Sequence, residues 1–463
     1  MSNTTADTTT KSKRKKSIYL FLGCLVIALG LTFLLREPGF SDSQVYVLFL
    51  LFFAVGLWMT EAIPPFAVSL FIIAYLVYTF GNPNLNSAPE KIDRYVTTFA
   101  SSVIWLLLGG FFMAGAMTKT GLDRRLLSLT LKMSGTRPTN ILIALMFTTM
   151  TFSMLMSYTA TTAMVVAAMM PLLGSLGKSN ISKALLLGVS IAAAVGGMGT
   201  IIASSTNAVA AGLIEEAGMK MDFFTWLQFG LPVTVALTTI CCYILNRRLI
   251  KNAERISLDF LNDDVSRSSE SITQRIIVLV TILVTVLFWM TTSLHGIRTA
   301  AISAIPIVGL TVTGVLTKED MKKLPWDTLF LVAGGLSLGE AIDSTGILNH
   351  YAYQLQGMNI NPVFLILIFS YMAMIFSNIA SNIAACMLLI PLGMTLLPGY
   401  KAEVAISVAI SSSACVFLPI STPPNLIVYS TGLLEQKDFR AGGIVVGILG
   451  PLLAVLWVLL INR

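Results

Sequence analysis

Two polar knots sit in the middle of long apolar stretches. The first, Ser153-Met154-Leu155-Met156-Ser157-Tyr158-Thr159-Ala160-Thr161-Thr162, lies inside 139–175; the second, Ser377-Asn378-Ile379-Ala380-Ser381-Asn382-Ile383, lies inside 361–397. Downstream of each, a helical run is interrupted. Gly196-Gly197-Met198-Gly199-Thr200 and Ser204-Ser205-Thr206-Asn207 break the run 184–213, and Pro419-Ile420-Ser421-Thr422-Pro423-Pro424-Asn425 breaks 403–432. Paired prolines delete two amide donors and oppose helix in the residue before them. A broken helix has bare amides at one half-helix end, which attract anions, and bare carbonyls at the other, which coordinate small cations. Four such elements converging at mid-membrane would make two cation sites around one anion site. Hydroxyls in apolar helices often bond only to their own helix, but that does not explain why the clusters recur at the centre of both stretches.

What is missing narrows the chemistry further. No Lys or Arg lies within 139–177, 184–219, 361–400 or 402–436. An anion held there would rely on dipoles, hydroxyls and co-bound cations. No Asp or Glu occupies either knot or break, so a carboxylate proton relay is not expected there. Glu340 and Asp343 are the protonatable candidates near a span, Glu61 before Pro64-Pro65 marks a helix end, and His295 and His350 fall in loops.

The rest of the chain says where such sites would lie. Of its 463 residues 55% are apolar and 11% charged, with a mean hydropathy of +0.81. A soluble domain carries about 25% charged residues. A bilayer-spanning helix needs about 20 mostly apolar residues, and the apolar share suffices for about ten. This excludes a soluble enzyme, a disordered protein and a nucleic-acid binder, and predicts an all-α polytopic membrane protein in a lipid bilayer. The net charge of +7 falls in short loops, the pattern that sets topology rather than ligand choice. Cys24, Cys241, Cys242, Cys386 and Cys415 show neither disulfide nor zinc spacing and read as buried thiols.

Apolar runs near 18–35, 44–62, 66–80, 101–118, 184–213, 225–246, 274–292, 299–316, 327–342, 403–432 and 441–461 predict eleven crossings, with 139–175 and 361–397 as re-entrant hairpins. Loops at 11–16, 119–137, 178–183, 247–275, 318–323 and 437–440 hold 23 of the 30 basic residues. That bias puts the amino terminus inside and the carboxyl terminus outside. Residues 1–17 read as a basic cytoplasmic tail, and 18–35 as a retained first helix, too long for a signal-peptide core. The charged stretch after Thr120 reads as an amphipathic interfacial helix. A polar linker, 251–273, separates a first half, 18–250, from a second, 274–463.

The halves repeat each other. Gly109-Gly110 with Thr120-Gly121 matches Gly334-Gly335 with Thr345-Gly346 at an offset of 225. Phe152 to Ala160 matches Phe376 to Ala384 at 224, and Ser204 to Asn207 matches Thr422 to Asn425 at 218. With the predicted topology, the hairpins enter from opposite sides, so the repeats are inverted, as in many secondary transporters.

At these residues the chain resembles the divalent anion–sodium symporter family, the INDY-type dicarboxylate carriers. The stretches that carry the resemblance are Trp58 to Pro64, Ser157 to Met164, Gly196 to Thr200, Ser204 to Asn207, Ser381-Asn382 and Ser421 to Asn425, and it covers about 45–461. The resemblance implies a homodimer with a scaffold domain and a transport domain that moves as an elevator, the two linked by bent helices near 121–134 and 346–357. It implies sodium as the coupling ion and a small anionic substrate, with no organic cofactor. One sodium site would draw on Ser153, Ser157, Tyr158 and Gly199, the other on Ser377, Ala380, Asn382 and Ser421. Substrate carboxylates would lie near Tyr158, Thr159, Thr200, Ser381, Asn382, Ile383, Thr422 and Pro423. The family's Ser-Asn-Thr motif reads Ser157-Tyr158-Thr159 in the first hairpin and Ser381-Asn382-Ile383 in the second. Tyrosine is larger than asparagine and isoleucine offers no hydrogen bond, so an altered anion, exchange in place of sodium symport, or weakened transport follows as an expectation beside dicarboxylate symport. An intramembrane enzyme would need a nucleophile–base pair or metal ligands at one depth, and a channel would need a continuous polar stripe; neither is evident.

Overall fold

A computed structural model of the chain describes residues 2–85, 92–250, 255–256, 271–348, 361–379 and 381–462. Among these there is no strand. The first half holds α1 (Ser2–Leu35), α2 (Asp42–Thr60), α3 (Pro65–Gly81), α4 (Ser102–Thr120), α5 (Leu122–Ser134), α6 (Pro138–Leu155), α7 (Tyr158–Leu176), α8 (Asn180–Gly196), α9 (Ser205–Glu216) and α10 (Phe223–Leu245). The second holds α11 (Ile272–Met290), α12 (Ala304–Val312), α13 (Trp326–Thr345), α14 (Pro362–Ile379), α15 (Asn382–Leu396), α16 (Lys401–Ser412), α17 (Pro423–Ser430) and α18 (Phe439–Ile461).

Nine of the described helices are long and apolar enough to cross a membrane, ten if the bent pair of α15 and the segment Pro398–Ser412 counts as one span. Three of the nine are α6, α7 and α14, the hairpin helices expected to turn back, while the expected crossings 66–80, 184–213, 299–316, 327–342 and 403–432 give no single helix among the nine. The span 299–316 is helical only over Thr299–Val312, short of a crossing. The spans 184–213 and 403–432 break as expected into α8 with α9 and α16 with α17. Large apolar side chains stand exposed along one helix after another, among them Leu279, Val280, Leu283 and Leu287 on α11. Such a belt suits lipid rather than water. The chain is a multi-pass membrane protein, and all five cysteines are free and buried.

The repeat is visible in the backbone. Both α4 and α13 end at a left-handed glycine, Gly121 (φ 61°, ψ 21°) and Gly346 (φ 60°, ψ 23°). A side chain at either position would be strained. Gly121 turns the chain into the amphipathic α5; the counterpart expected near 346–357 lies mostly outside the described residues. Each half then runs through a hairpin (α6–α7, α14–α15), a broken helix (α8–α9, α16–α17) and a long helix with an internal proline, Pro232 in α10 and Pro451 in α18. Glu61, expected at a helix end, caps α2 in the left-handed region at φ 48°.

The halves are interlocked. The second piece of each broken helix packs on the other half: α9 on α15 and α16, α17 on α7 and α8. The glycine pairs of α4 and α13 flank this body. A Cβ on Gly109 would stand 2.9 Å from Ser303 Cβ, and one on Gly334 would stand 2.5 Å from Ser69 Cα. On the next residue, Gly110 faces Ile202 and Gly335 faces the Met387 side chain.

Loops grouped on one side by charge also meet each other. Lys119 pairs with Asp320 at 2.6 Å, Lys183 with Asp438 at 3.0 Å, and the Ile256 amide donates to the Thr136 carbonyl at 2.9 Å. At the other end Arg94 pairs with Glu340, and Gln44 Nε2 donates to the Thr345 carbonyl at 3.0 Å. In the loop before α13, burial pushes the Asp320 carboxyl up. Hydrogen bonds from Lys119 and from the Thr317 hydroxyl and amide outweigh this and hold it at about 2.

Two outcomes follow. Gly334→Ala forces backbone against Ser69 and should destabilise the purified protein by about 1–3 kcal/mol. Gly335→Ala meets only a methionine end that can swing away and should cost clearly less; equal melting temperatures for the two would contradict this packing. Because folding lowers the Asp320 pKa, its contribution is present above the ordinary carboxylate range and lost as pH falls toward 2. Asp320→Asn should therefore lower the melting temperature at neutral pH, with the difference from the parent closing on acidification.

Candidate functional site

Each hairpin tip is a short extended turn ahead of a helix. Ser157 (φ −59°, ψ 132°) precedes α7 and Ser381 (φ −75°, ψ 134°) precedes α15. Elsewhere Ser41, Ser179, Ser204, Asp222, Ser271 and Thr422 accept a bond from a first-turn amide of their helix. The tip serines Ser157 and Ser381 make no such bond. These two helix starts have no side-chain cap, as is also true of α3, α5, α6, α12, α13, α16 and α18, and an uncapped start can receive a carboxylate. Ser157 is exposed and Ser381 half-buried.

The breaks are held by a matched pair of asparagines. Asn207 Nδ2 donates to the carbonyls of Gly197 and Thr200, both at 2.8 Å. Asn425 Nδ2 donates to those of Val416 at 3.1 Å and Leu418 at 2.7 Å. Each amide donates to two carbonyls beside the interruption; those of Gly197 and Val416 have no backbone donor, while those of Thr200 and Leu418 also take the Ala203 and Ser421 amides at 3.3 and 3.1 Å. Asn425 Oδ1 in turn accepts the Ser190 hydroxyl of the other half. Its counterpart is unmade: Asn207 Oδ1, Ser407 Oγ and Ser411 Oγ are all buried without a partner.

The first tip closes on its own break. The Ser153 hydroxyl donates to the Ala193 carbonyl at 2.6 Å, and Thr200 Oγ1 donates to the Met154 carbonyl. Gly199 lies under the Met154 side chain, whose Cε is 2.8 Å from where a Cβ would stand. At the second tip, Asn378 Oδ1 accepts the Phe417 amide at 3.2 Å and the Ser421 hydroxyl at 3.0 Å. Ser377 is buried with its hydroxyl unpartnered.

The second break meets the second tip, where the Cys415 thiol donates to Asn382 Oδ1 at 3.1 Å. The Tyr158 ring rests near Gly197, 3.3 Å from its would-be Cβ. Thr159 is half-buried, Thr422 accepts the Asn425 amide at 3.4 Å, and Pro423 opens α17 exposed. Ile383 is half-buried against the core. Ala380 lies outside the described residues. Ser190, Asn207, Asn378, Cys415 and Asn425 hold this geometry, though none of them was singled out as a ligand. The Asn207–Asn425 match and the position of Asn378 beside Ser377 were the available signals.

The comparisons agree with this architecture. Residues 55–409 match the protein family described as citrate transporter. A sodium-dependent dicarboxylate transporter, SdcS, of Staphylococcus saprophyticus is 27% identical, covering 94% of this chain and 89% of that protein. The SdcS of Staphylococcus aureus strain USA300 is also 27% identical, covering 96% and 92%. Among solved structures, the YdaH transporter of Alcanivorax borkumensis is similar with a TM-score of 0.58 at 14% identity, covering 86% of this chain and 98% of that one. That likeness supports the fold alone.

Removing the asparagine latch tests the geometry. Asn425→Ala should cost about 1–3 kcal/mol, because it orphans the buried Val416 carbonyl and the Ser190 hydroxyl, while the half-buried Leu418 carbonyl keeps the Ser421 amide; Ser190→Ala should cost about 1 kcal/mol. A loss below about 0.5 kcal/mol for Asn425→Ala, read from melting of the purified protein, would mean that the carbonyls find other donors.

Proposed function

The chain belongs to the citrate transporter family, and on that premise we propose that it moves a small di- or tricarboxylate across the membrane together with sodium. The observation that carries this reading is the pair of uncapped helix starts at Ser157 and Ser381. The stretches that carry them contain no Lys or Arg, and Asn382 at the second start takes the Cys415 thiol of the second break. A carboxylate held there is met by amide dipoles and by the hydroxyls of Ser157, Thr159, Ser381 and Thr422. Without a side-chain countercharge, a dianion needs accompanying cations to reduce the cost of crossing a low-dielectric interior. The sodium-dependent naming of the SdcS relatives supports the same ion.

Alternating access on this reading moves the hairpins and broken helices as a body past α4 and α13, in an elevator within a homodimer. On the same reading the protein sits in a bacterial plasma membrane, and the basic loops favour a cytoplasmic amino terminus.

Tyr158 sets the anion in this scheme. Its ring narrows the pocket, and its hydroxyl supplies one contact that Ile383 cannot. Uptake of labelled C4-dicarboxylates and citrate into proteoliposomes, with and without a sodium gradient, tests the function. Sodium-driven uptake is expected; uptake that ignores sodium and requires internal anion would identify an exchanger instead. Tyr158→Phe should raise KM about tenfold, the worth of one hydrogen bond of roughly 1.4 kcal/mol. Tyr158→Asn should extend the range toward the larger tricarboxylate. Unchanged profiles in both variants would refute the role.

A further inference from the structure

Four asparagines stand at the second hairpin tip and the two breaks, and they use their amides differently. Asn207 Nδ2 and Asn425 Nδ2 each donate to two carbonyls. Asn378 Nδ2 donates to the Met374 carbonyl at 2.9 Å, while its Oδ1 accepts the Phe417 amide and the Ser421 hydroxyl. These three amide nitrogens serve the fold. At Asn382 the oxygen accepts the Cys415 thiol at 3.1 Å, and Nδ2 has no partner among the described residues. Nor is that nitrogen one of the buried polar atoms left bare, so it reaches open space.

Burial explains the division. Cys415 is wholly buried, whereas Asn382 is half-buried and is the first residue of α15, whose start has no side-chain cap. A thiol has one weak donor to give, and the amide is planar, with its oxygen and its nitrogen on different edges. With the oxygen turned to the buried S–H, the N–H edge is left to the open side. An amide offers a cation its oxygen and an anion its N–H groups; here the open edge carries the N–H groups. Turned over, Asn382 would set an N–H against the thiol and a carbonyl oxygen against an incoming carboxylate, losing one contact and gaining a repulsion. Tyr158, the first residue of α7, likewise keeps a hydroxyl with no partner among the described residues.

We infer that Cys415 is a positioning residue for anion recognition: its S–H holds the Asn382 oxygen on the buried side, so that Asn382 Nδ2 is presented to a substrate carboxylate at the start of α15. The inference rests on the carboxylate-transport reading above, and it assigns the Asn382 side chain to the anion rather than to a cation.

Uptake into proteoliposomes of whichever labelled C4-dicarboxylate or citrate the parent carries gives KM and maximal rate for the parent and four variants. Cys415→Ala and the volume-filling Cys415→Val should each raise KM about three- to tenfold, the contribution of one hydrogen bond, with the maximal rate held within about twofold. Cys415→Ser keeps a donor and should return KM to within about twofold of the parent. Asn382→Asp keeps the shape and the oxygen but has no N–H to give, and should raise KM about tenfold or more. A parental KM in Cys415→Val, or a KM in Cys415→Ser as high as in Cys415→Ala, would reduce the thiol to a packing group and overturn the inference. A parental KM in Asn382→Asp would overturn it as well, and that variant decides the matter if the Cys415 variants fail to fold. Each of these results leaves the transport reading standing, whether sodium or internal anion drives uptake. A parent that takes up no di- or tricarboxylate would overturn both.

Discussion

An interrupted helix inside an apolar body must find partners for the carbonyls and amides it no longer pairs. Water cannot serve in a lipid-facing bundle, so side chains, a bound anion or a bound cation must. Nearly everything particular about this chain follows from how that demand is met. Asn207 and Asn425 each answer for two carbonyls. Ser153, Thr234 and Trp226 answer for three more at the first break. Ser377 is among the buried oxygens that stay unanswered, and the starts of α7 and α15 carry no side-chain cap.

This view connects fold to ligand chemistry without a charged side chain at the centre. A fixed arginine would hold an anion tightly in every state and oppose its release. Dipoles and hydroxyls bind more weakly and depend on what else is present, which suits a carrier that must load on one side and unload on the other. The absence of basic residues from the tips and breaks is therefore as much a part of the design as the serines that are there.

Much of this was legible from residue order alone. Gly121 and Gly346, matched by spacing, adopt nearly the same left-handed backbone, because a chain that turns sharply after a helix needs a residue without a Cβ. The breaks in 184–213 and 403–432 were readable from glycine and proline chemistry, and Glu61 from the prolines after it. Other features were hidden, because they depend on which side chains meet across hundreds of residues. The close seat of Ser303 on Gly109 leaves only a weak local mark. The partners of Ser153 and Ser190 are likewise set by packing, not by pattern. Ser153 and Ser377 look alike in sequence and end in opposite states, one bonded and one bare.

The reciprocal seating of α9 on α15 and α16, and of α17 on α7 and α8, carries a consequence for ancestry and for engineering. A duplicated gene usually yields two bodies joined by a tether, each able to stand alone. Here neither half is a finished object: severed in the polar linker, each would present the flank of its hairpin bare. A lone ancestral copy would have needed a twin lying head to tail against it, and splitting or permuting this gene at its midpoint should succeed only when both fragments are made together.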